Sequence, residues 1–165
     1  MAVGYAFQNY DQKSMVRVKG TYLPISRKDA REIGATIKNM PIEKAIQYLK
    51  RVEEKTQAVP VTMYNKKAAH HTGQGPSWFP VRAAGFTIRL LESLKSNAQQ
   101  KGMGTKNLVI IHAAAQKGPR RTHSTLRRKS GQERKITHFE IIAREAEETQ
   151  NKTSAKPAAP MREKK

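Results

Sequence analysis

Between Gln116 and Lys135 the chain carries Lys117, Arg120, Arg121, Arg127, Arg128, Lys129, Arg134 and Lys135 against Glu133 alone, and Leu126 is its one large apolar side chain. This net +7 segment is bracketed by two apolar stretches. Leu108-Val109-Ile110-Ile111 is a β-branched run of the kind that forms a buried strand, and Phe139, Ile141 and Ala143 alternate in a second. A compact domain joins two such strands by a short polar turn, so a connection this long is either functional or disordered. By itself it cannot bury enough surface to offset the entropy of ordering. If the flanking strands continue into a two-stranded ribbon, ~9 residues per arm at ~3.3 Å each reach about 30 Å from the body. Such a ribbon is marginal alone in water. Phosphates threaded between its arginines and lysines would supply both the missing partner and the missing order.

The rest of the chain extends the same imbalance. Its 165 residues hold 32 Lys and Arg against 13 Asp and Glu, a net charge of +19. Self-repulsion on that scale calls for a polyanion, nucleic acid first and an anionic membrane surface second. No membrane span is expected, because the longest apolar run, Leu108 to Ile111 continued by Ala113 to Ala115, falls far short of the ~20 residues a bilayer needs. Gln8, Asn9, Asp11, Gln12 and Arg17 stand where a secretory signal would be apolar. With no cysteine there is no disulfide and no thiolate chemistry, as suits an intracellular protein. A hydrophobic fraction of 37% supports one modest core.

The elements predicted from the sequence make an α+β fold: three helices packed on a small antiparallel sheet, with a long protruding basic β-hairpin. Residues 1–14 are expected to be an extended arm with aromatic anchors. Residues 15–148 form a single domain that includes the hairpin 116–135, and residues 149–165 a disordered basic tail. Met15 to Lys19 alternates like a strand, with Arg17 and Lys19 on its polar face. Ser26 with Asp29 resembles a capping box opening a helix from Arg27 to Lys38. Asn39-Met40-Pro41 restarts a second helix with Ile42, Ala45, Ile46, Leu49 and Val52 on its stripe, the two forming a helical hairpin that ends before Val59-Pro60. Residues 62–80 read as a loop. From Pro80 a third helix runs to about Lys101, with Ala83, Phe86, Leu90, Leu94 and Ala98 inward and Ile88 and Leu91 widening the stripe.

The sequence carries no catalytic constellation, and neither a cofactor nor a metal is expected. Gly73-Gln74-Gly75-Pro76 lacks the lysine and the preceding strand of a phosphate loop. The adjacent His70 and His71 point apart on most backbones, and His112, His123 and His138 have no i, i+4 partner, so zinc is disfavoured against surface or phosphate-contacting imidazoles. The basic residues are another matter. Arg27, Lys28 and Arg31 surround the first turns of a helix, where backbone N–H groups already favour phosphate. Lys66, Lys67, Arg82 and Arg89 flank Trp78 and Phe79, which either stack on bases or cap the core, with the core preferred for Trp78. Several basic faces on one small domain suit an enveloping RNA better than a duplex docked on one side.

The order of these pieces resembles a known family. Ile25-Ser26-Arg27-Lys28-Asp29-Ala30-Arg31-Glu32-Ile33 precedes the helical pair, and Pro80-Val81-Arg82-Ala83-Ala84 opens a helix closing with Leu91-Glu92-Ser93-Leu94-Lys95-Ser96-Asn97-Ala98. Leu108-Val109-Ile110-Ile111-His112 leads through Gly118-Pro119 into a basic hairpin that returns at Thr137-His138-Phe139-Glu140-Ile141. Over about Tyr5 to Glu147 this is similar to the large-subunit ribosomal protein called L twenty-two in bacteria and L seventeen in eukaryotes. Tyr5-Ala6-Phe7-Gln8-Asn9-Tyr10-Asp11 and the long loop with Tyr64-Asn65 are similar to its archaeal branch, with the eukaryotic branch second. The resemblance implies a cytoplasmic, non-enzymatic constituent of the large subunit whose hairpin runs along the wall of the nascent-chain tunnel. Its partners would be large-subunit rRNA, neighbouring ribosomal proteins and the nascent polypeptide. The resemblance also implies that Lys117, Arg120, Arg121, Arg127, Arg128, Lys129 and Arg134 of the hairpin contact rRNA, and the basic faces read from the sequence add Arg17 and Lys19; Arg27, Lys28 and Arg31; Lys66, Lys67, His70, His71 and Arg82; and Lys135. One departure stands out. Family hairpins commonly carry Pro-Arg-Ala-x-Gly-Arg-Ala near the tip, where this chain has His123 to Gly131. A free-standing protein that compacts DNA or RNA is the alternative, although the sequence shows neither the repeat nor the dimer face it would need.

Overall fold

The computed structural model describes residues 4–63, 65, 68–105, 107–125 and 128–145, without the side chains of 121, 123–125 and 128–132. In chain order the elements are β1 (Met15–Leu23), α1 (Arg27–Ile37), α2 (Ile42–Glu53), β2 (Val59–Pro60), β3 (His70–His71), β4 (Gly75–Trp78), α3 (Val81–Gln100), β5 (Leu108–Lys117), β6 (Arg121–Thr125), β7 (Arg128–Arg134) and β8 (Thr137–Glu145). The main sheet has the order β1-β8-β5, antiparallel throughout. Val18 sits opposite Ile141 on one side of β8 and Ala113 on the other. As the middle strand, β8 is buried from Thr137 through Ala143. This is the expected α+β fold.

Strand alternation divides the sheet into two faces. Phe139, Ile141 and Ala143 join Val16, Val18, Leu108 and Ile110 in the core beneath the helices. Glu140 faces the other way, and there the N-terminal arm lies across the sheet, its Ala6 amide donating to Glu140 at 3.1 Å and its Phe7 ring 5.2 Å from that of His112.

The helices follow their apolar periods with local corrections. α1 buries Ala30, Ile33, Gly34 and Ile37. At Gly34 a methyl group would lie 3.3 Å from the Ala113 carbonyl and the Phe139 ring, so the missing side chain sets how closely α1 approaches the sheet. Ser26 occupies the N-cap position, but its side chain makes no capping bond, so the expected box does not form. Nor do α1 and α2 pack chiefly on one another: α1 rests on β5 and α2 on α3. The link between them is pinned to the sheet instead. Asn39, at φ +64°, donates to the Ile110 carbonyl at 2.7 Å, and Ile110 returns a bond to Met40. α2 also ends earlier than Val59-Pro60, at Glu53, with Lys55 left-handed two residues on.

In α3 the most buried stripe is Ala84, Thr87, Leu91, Leu94 and Ala98, so Thr87 and Leu91 take the inward places, one residue and about 100° round the helix from the expected Phe86 and Leu90, which are only partly buried. Thr87 is tolerated inside because its hydroxyl donates to the Ala83 carbonyl at 2.8 Å. Pro80 is the N-cap, not the first helical residue. Gly102, at φ +72°, closes the helix in a Schellman arrangement with Met103 N–H on Ala98 and Gly102 N–H on Gln99.

The expected loop 62–80 holds structure of its own. β2, β4 and β3 form a small antiparallel sheet, with Val59 opposite Trp78 and His71 opposite Gly75. Gly73 and Gly75 take positive φ in the turn. On β4 the inward position falls to Ser77, which is fully buried, so the period of two turns Trp78 outward and leaves it 57% exposed. The preference for Trp78 in the core is therefore corrected. The expected tail, 149–165, lies outside the described residues.

Candidate nucleic-acid interface

β1 leads into α1 through Ile25, whose carbonyl accepts the Thr137 hydroxyl at 2.8 Å in a buried bond. That bond sets the first turn of α1 beside the base of the basic hairpin. The base is itself tight: Gly118 N–H donates to the Ile136 carbonyl at 2.9 Å, and a methyl group on Gly118 would lie 2.8 Å from the Ile136 side chain and 3.0 Å from its carbonyl oxygen. β5 and β8 pair as far as Lys117 opposite Thr137, and beyond them β6 and β7 pair from Arg121 opposite Arg134.

Between the helix and the hairpin base runs an open groove of ≈ 370 Å³, lined by Arg27 and Lys28 on one wall and by Lys117, Arg120, Arg134 and Lys135 on the other. Its acidic lining residue is Glu133, which pairs with Arg120 at 2.7 Å. Both partners are more than half exposed, so the pair adds little stability and leaves the groove strongly cationic. The N–H groups and dipole of the α1 first turn add to its attraction for anions. Asp29 sits on the same turn. Burial pushes its carboxyl above the ordinary aspartate value, against the opposing pull of Lys135, a Ser26 hydrogen bond and Lys28. Arg31, one turn further on, lines an adjoining hollow with Arg27 and Lys28.

The other sequence candidates are placed variously. Arg17 is exposed, its guanidinium 4.5 Å from the Tyr5 ring centroid and 4.4 Å from that of Tyr10. Lys19 turns inward: its side chain is 6% exposed, its ammonium lies 3.5 Å from Glu140 and it donates to the Gly4 carbonyl. Its charge neutralises a buried carboxylate and is not presented to the surface, which corrects its placement among the outward cations. His70 is exposed on β3, whereas His71 has Nδ1 2.7 Å from the Ser77 hydroxyl and its ring edge-on to Phe79. Arg82 is exposed in the first turn of α3. Lys66, Lys67 and Arg127 lie outside the described residues, as do the side chains of Arg121, Arg128 and Lys129, whose backbones belong to β6 and β7.

Two features escaped sequence reasoning. Glu140 is fully buried and gathers Lys19, His112 at 3.0 Å, Gln116 at 3.4 Å and the Ala6 amide. Its signal was a carboxylate between Phe139 and Ile141, but that alternation also describes an exposed strand face. Lys101 clasps the arm, its ammonium donating to the Tyr10 hydroxyl and to the Gln12 and Met15 carbonyls at 2.8 to 3.2 Å. Among the described residues no cluster of three or more His, Asp or Glu could hold a metal ion, and no helix is long and apolar enough to cross a membrane.

Comparison with known proteins places these features in a family. Residues 18–144 match the family described as Ribosomal protein L22p/L17e. A protein of Cenarchaeum symbiosum named large ribosomal subunit protein uL22 is 37% identical over 148 residues, covering 87% of this chain and 97% of that protein. The protein of the same name from the fungus Aspergillus fumigatus is 35% identical, covering 91% of this chain and 81% of its own. One from Archaeoglobus fulgidus is 38% identical over 120 residues, covering 70% and 77%.

Proposed function

The chain belongs to the Ribosomal protein L22p/L17e family, and from that premise we propose that it is a structural constituent of the large ribosomal subunit, in the cytoplasm, that holds large-subunit rRNA in the groove between α1 and the hairpin base. The observation that carries this reading is the convergence of Arg27 and Lys28 with Lys117, Arg120, Arg134 and Lys135, from opposite ends of the sequence, on one anion-attracting surface. Phosphates bound there release counterions and relieve the repulsion among those cations. Arg31, Arg17, Arg82 and His70, all exposed, extend the contact to other faces. Lys19 is left out because its ammonium is engaged by Glu140. Beyond the groove the hairpin, with Arg121, Arg127, Arg128 and Lys129, lines the tunnel through which the nascent polypeptide leaves, and neighbouring ribosomal proteins complete the surroundings. No step of chemistry is assigned to the chain.

Cosedimentation of the tagged protein with salt-washed large subunits tests the reading. Changing Arg27, Lys28 and Arg31 together to Ala is expected to weaken association while leaving helix content and cooperative unfolding intact, since all three are exposed. Wild-type protein that fails to enter the particle would overturn the assignment. Loss of cooperative unfolding in the triple variant would show that these residues serve the core.

A further inference from the structure

Trp78 is the single tryptophan of the chain, and it is 57% exposed at the end of a sheet whose other residues hold it firmly. Beside it on β4, Ser77 is fully buried, donates its backbone N–H to the Ala69 carbonyl at 2.9 Å and touches His71 through its hydroxyl. The indole is therefore presented outward by a fixed support. Between it and the first turn of α1 lies a hollow of ≈ 240 Å³, with Val59, Val61 and Met63 on its apolar side and Lys28, Asp29 and Glu32 on its polar rim, the Glu32 carboxylate being taken up by the Thr62 hydroxyl and the Thr62 and Met63 amides. Met63 is itself 44% exposed.

The rim decides what fits. An apolar peptide covering Trp78 and Met63 would also desolvate Lys28 and Asp29, at a cost that it could not repay. A nucleotide uses every part of the hollow. Its base offers a face to the indole and N–H donors to the Asp29 carboxylate, and its phosphate is attracted by Lys28 and by the cations of the adjoining groove. Continuity supports the same occupant, because Lys28 lines both this hollow and the basic groove, so one strand can pass from one to the other without leaving the surface. We propose that Trp78 is a stacking platform for an unstacked base of single-stranded rRNA, whose adjoining phosphates continue into the groove of Arg27 and Lys28. This rests on the rRNA-binding reading and adds to it a site that reads a base, not a phosphate.

Because Trp78 is the single tryptophan, emission excited at the red edge of the absorption, where the five tyrosines do not absorb, reports on this site. The probe is a fluorescein-labelled 12-nucleotide oligoadenylate titrated with the full chain, with anisotropy following binding and indole emission following stacking. Binding is expected to quench Trp78. Stacking is sequence-tolerant and worth ~1–3 kcal/mol per base, so Trp78→Ala should weaken binding roughly 5- to 150-fold, with Trp78→Phe retaining most of the affinity. The salt dependence should not change in Trp78→Ala, as no phosphate contact is lost, whereas Arg27→Ala should flatten it. Oligonucleotide that binds by anisotropy while emission and the Trp78→Ala affinity stay unaltered overturns the stacking site and leaves the rRNA reading standing. Absence of any binding at low salt removes both. In assembled subunits, a photo-crosslinking residue at position 78 should react with rRNA; reaction with a protein instead overturns the proposal.

Discussion

Glu140 shows how one buried charge organises its surroundings. Its carboxylate is fully inaccessible, yet Lys19, His112, Gln116 and the Ala6 amide all reach it. The arrangement ties the N-terminal arm to the sheet and neutralises a lysine that would otherwise be stranded. Removing one partner of such a pair leaves the other uncompensated, so Glu140→Ala is expected to cost ~3–5 kcal/mol in denaturant unfolding. Glu140→Gln should cost less, since it retains hydrogen-bonding groups; equal losses would mean that packing and not charge dominates. Asp29 has the opposite character. Burial is the largest influence on it and raises its carboxyl above the usual 3.8, so between 3.8 and the higher folded value the folded state holds a proton that the unfolded state has released. The stability contributed by protonated Asp29 is full below 3.8 and is lost as pH rises through the higher folded value. Wild type should therefore lose stability relative to Asp29→Asn as pH is raised from below 3.8, and the difference should level off once Asp29 is ionised in both states. Thermal melts of the two proteins across that range check the sign, and a difference that moved the other way would show Lys135 and Lys28 outweighing burial.

Among elements, the long ones were legible and the short ones were not. The apolar stripes of α1, α2 and α3 each span several turns, and their period survives local errors such as the rotation of α3 toward Thr87. β2 and β3 are two residues each and β4 is four, too short for any period, although β3 and β4 pair across a tight turn, His71 opposite Gly75. That is why the sequence favours Trp78 inward: without β4 nothing in it says that Ser77 takes the buried position. The candidate site was legible as a set of basic residues, but not as a groove, because the Thr137 bond to Ile25 that joins helix to hairpin spans 112 positions. The hairpin base carries the next prediction. A side chain at Gly118 meets Ile136 backbone at 3.0 to 3.1 Å, and backbone cannot rotate away as a side-chain tip can. Gly118→Ala should therefore destabilise by about 1–3 kcal/mol, the range for overpacking. Hydrogen exchange should localise the damage, with faster exchange in β6 and β7 and little change in α3. A uniform loss across the molecule would mean that the base is part of the core and not its boundary.

For the whole molecule, the net charge of +19 and the two-faced sheet answer different needs. The apolar side chains gather in one core under the helices, while the cations converge where α1 meets the hairpin. Association with large-subunit rRNA fragments should therefore depend steeply on salt, each contacted phosphate contributing a slope of about 0.7 to 0.9 in log K against log salt. The contributions are separable by region. Replacing Arg27, Lys28 and Arg31 by Ala should lower the slope by up to about 2 to 3, as three phosphate contacts are lost, and Arg134 with Lys135 by up to about 1.4 to 1.8. Lys19→Met should leave the slope unchanged even though it removes a positive charge, because that ammonium is turned toward Glu140 and never meets a phosphate. Filter binding across a salt series, on variants whose unfolding remains cooperative, distinguishes the two kinds of lysine. If Lys19→Met flattened the slope as much as a groove variant does, affinity would follow total charge, and the groove would have no special part in binding.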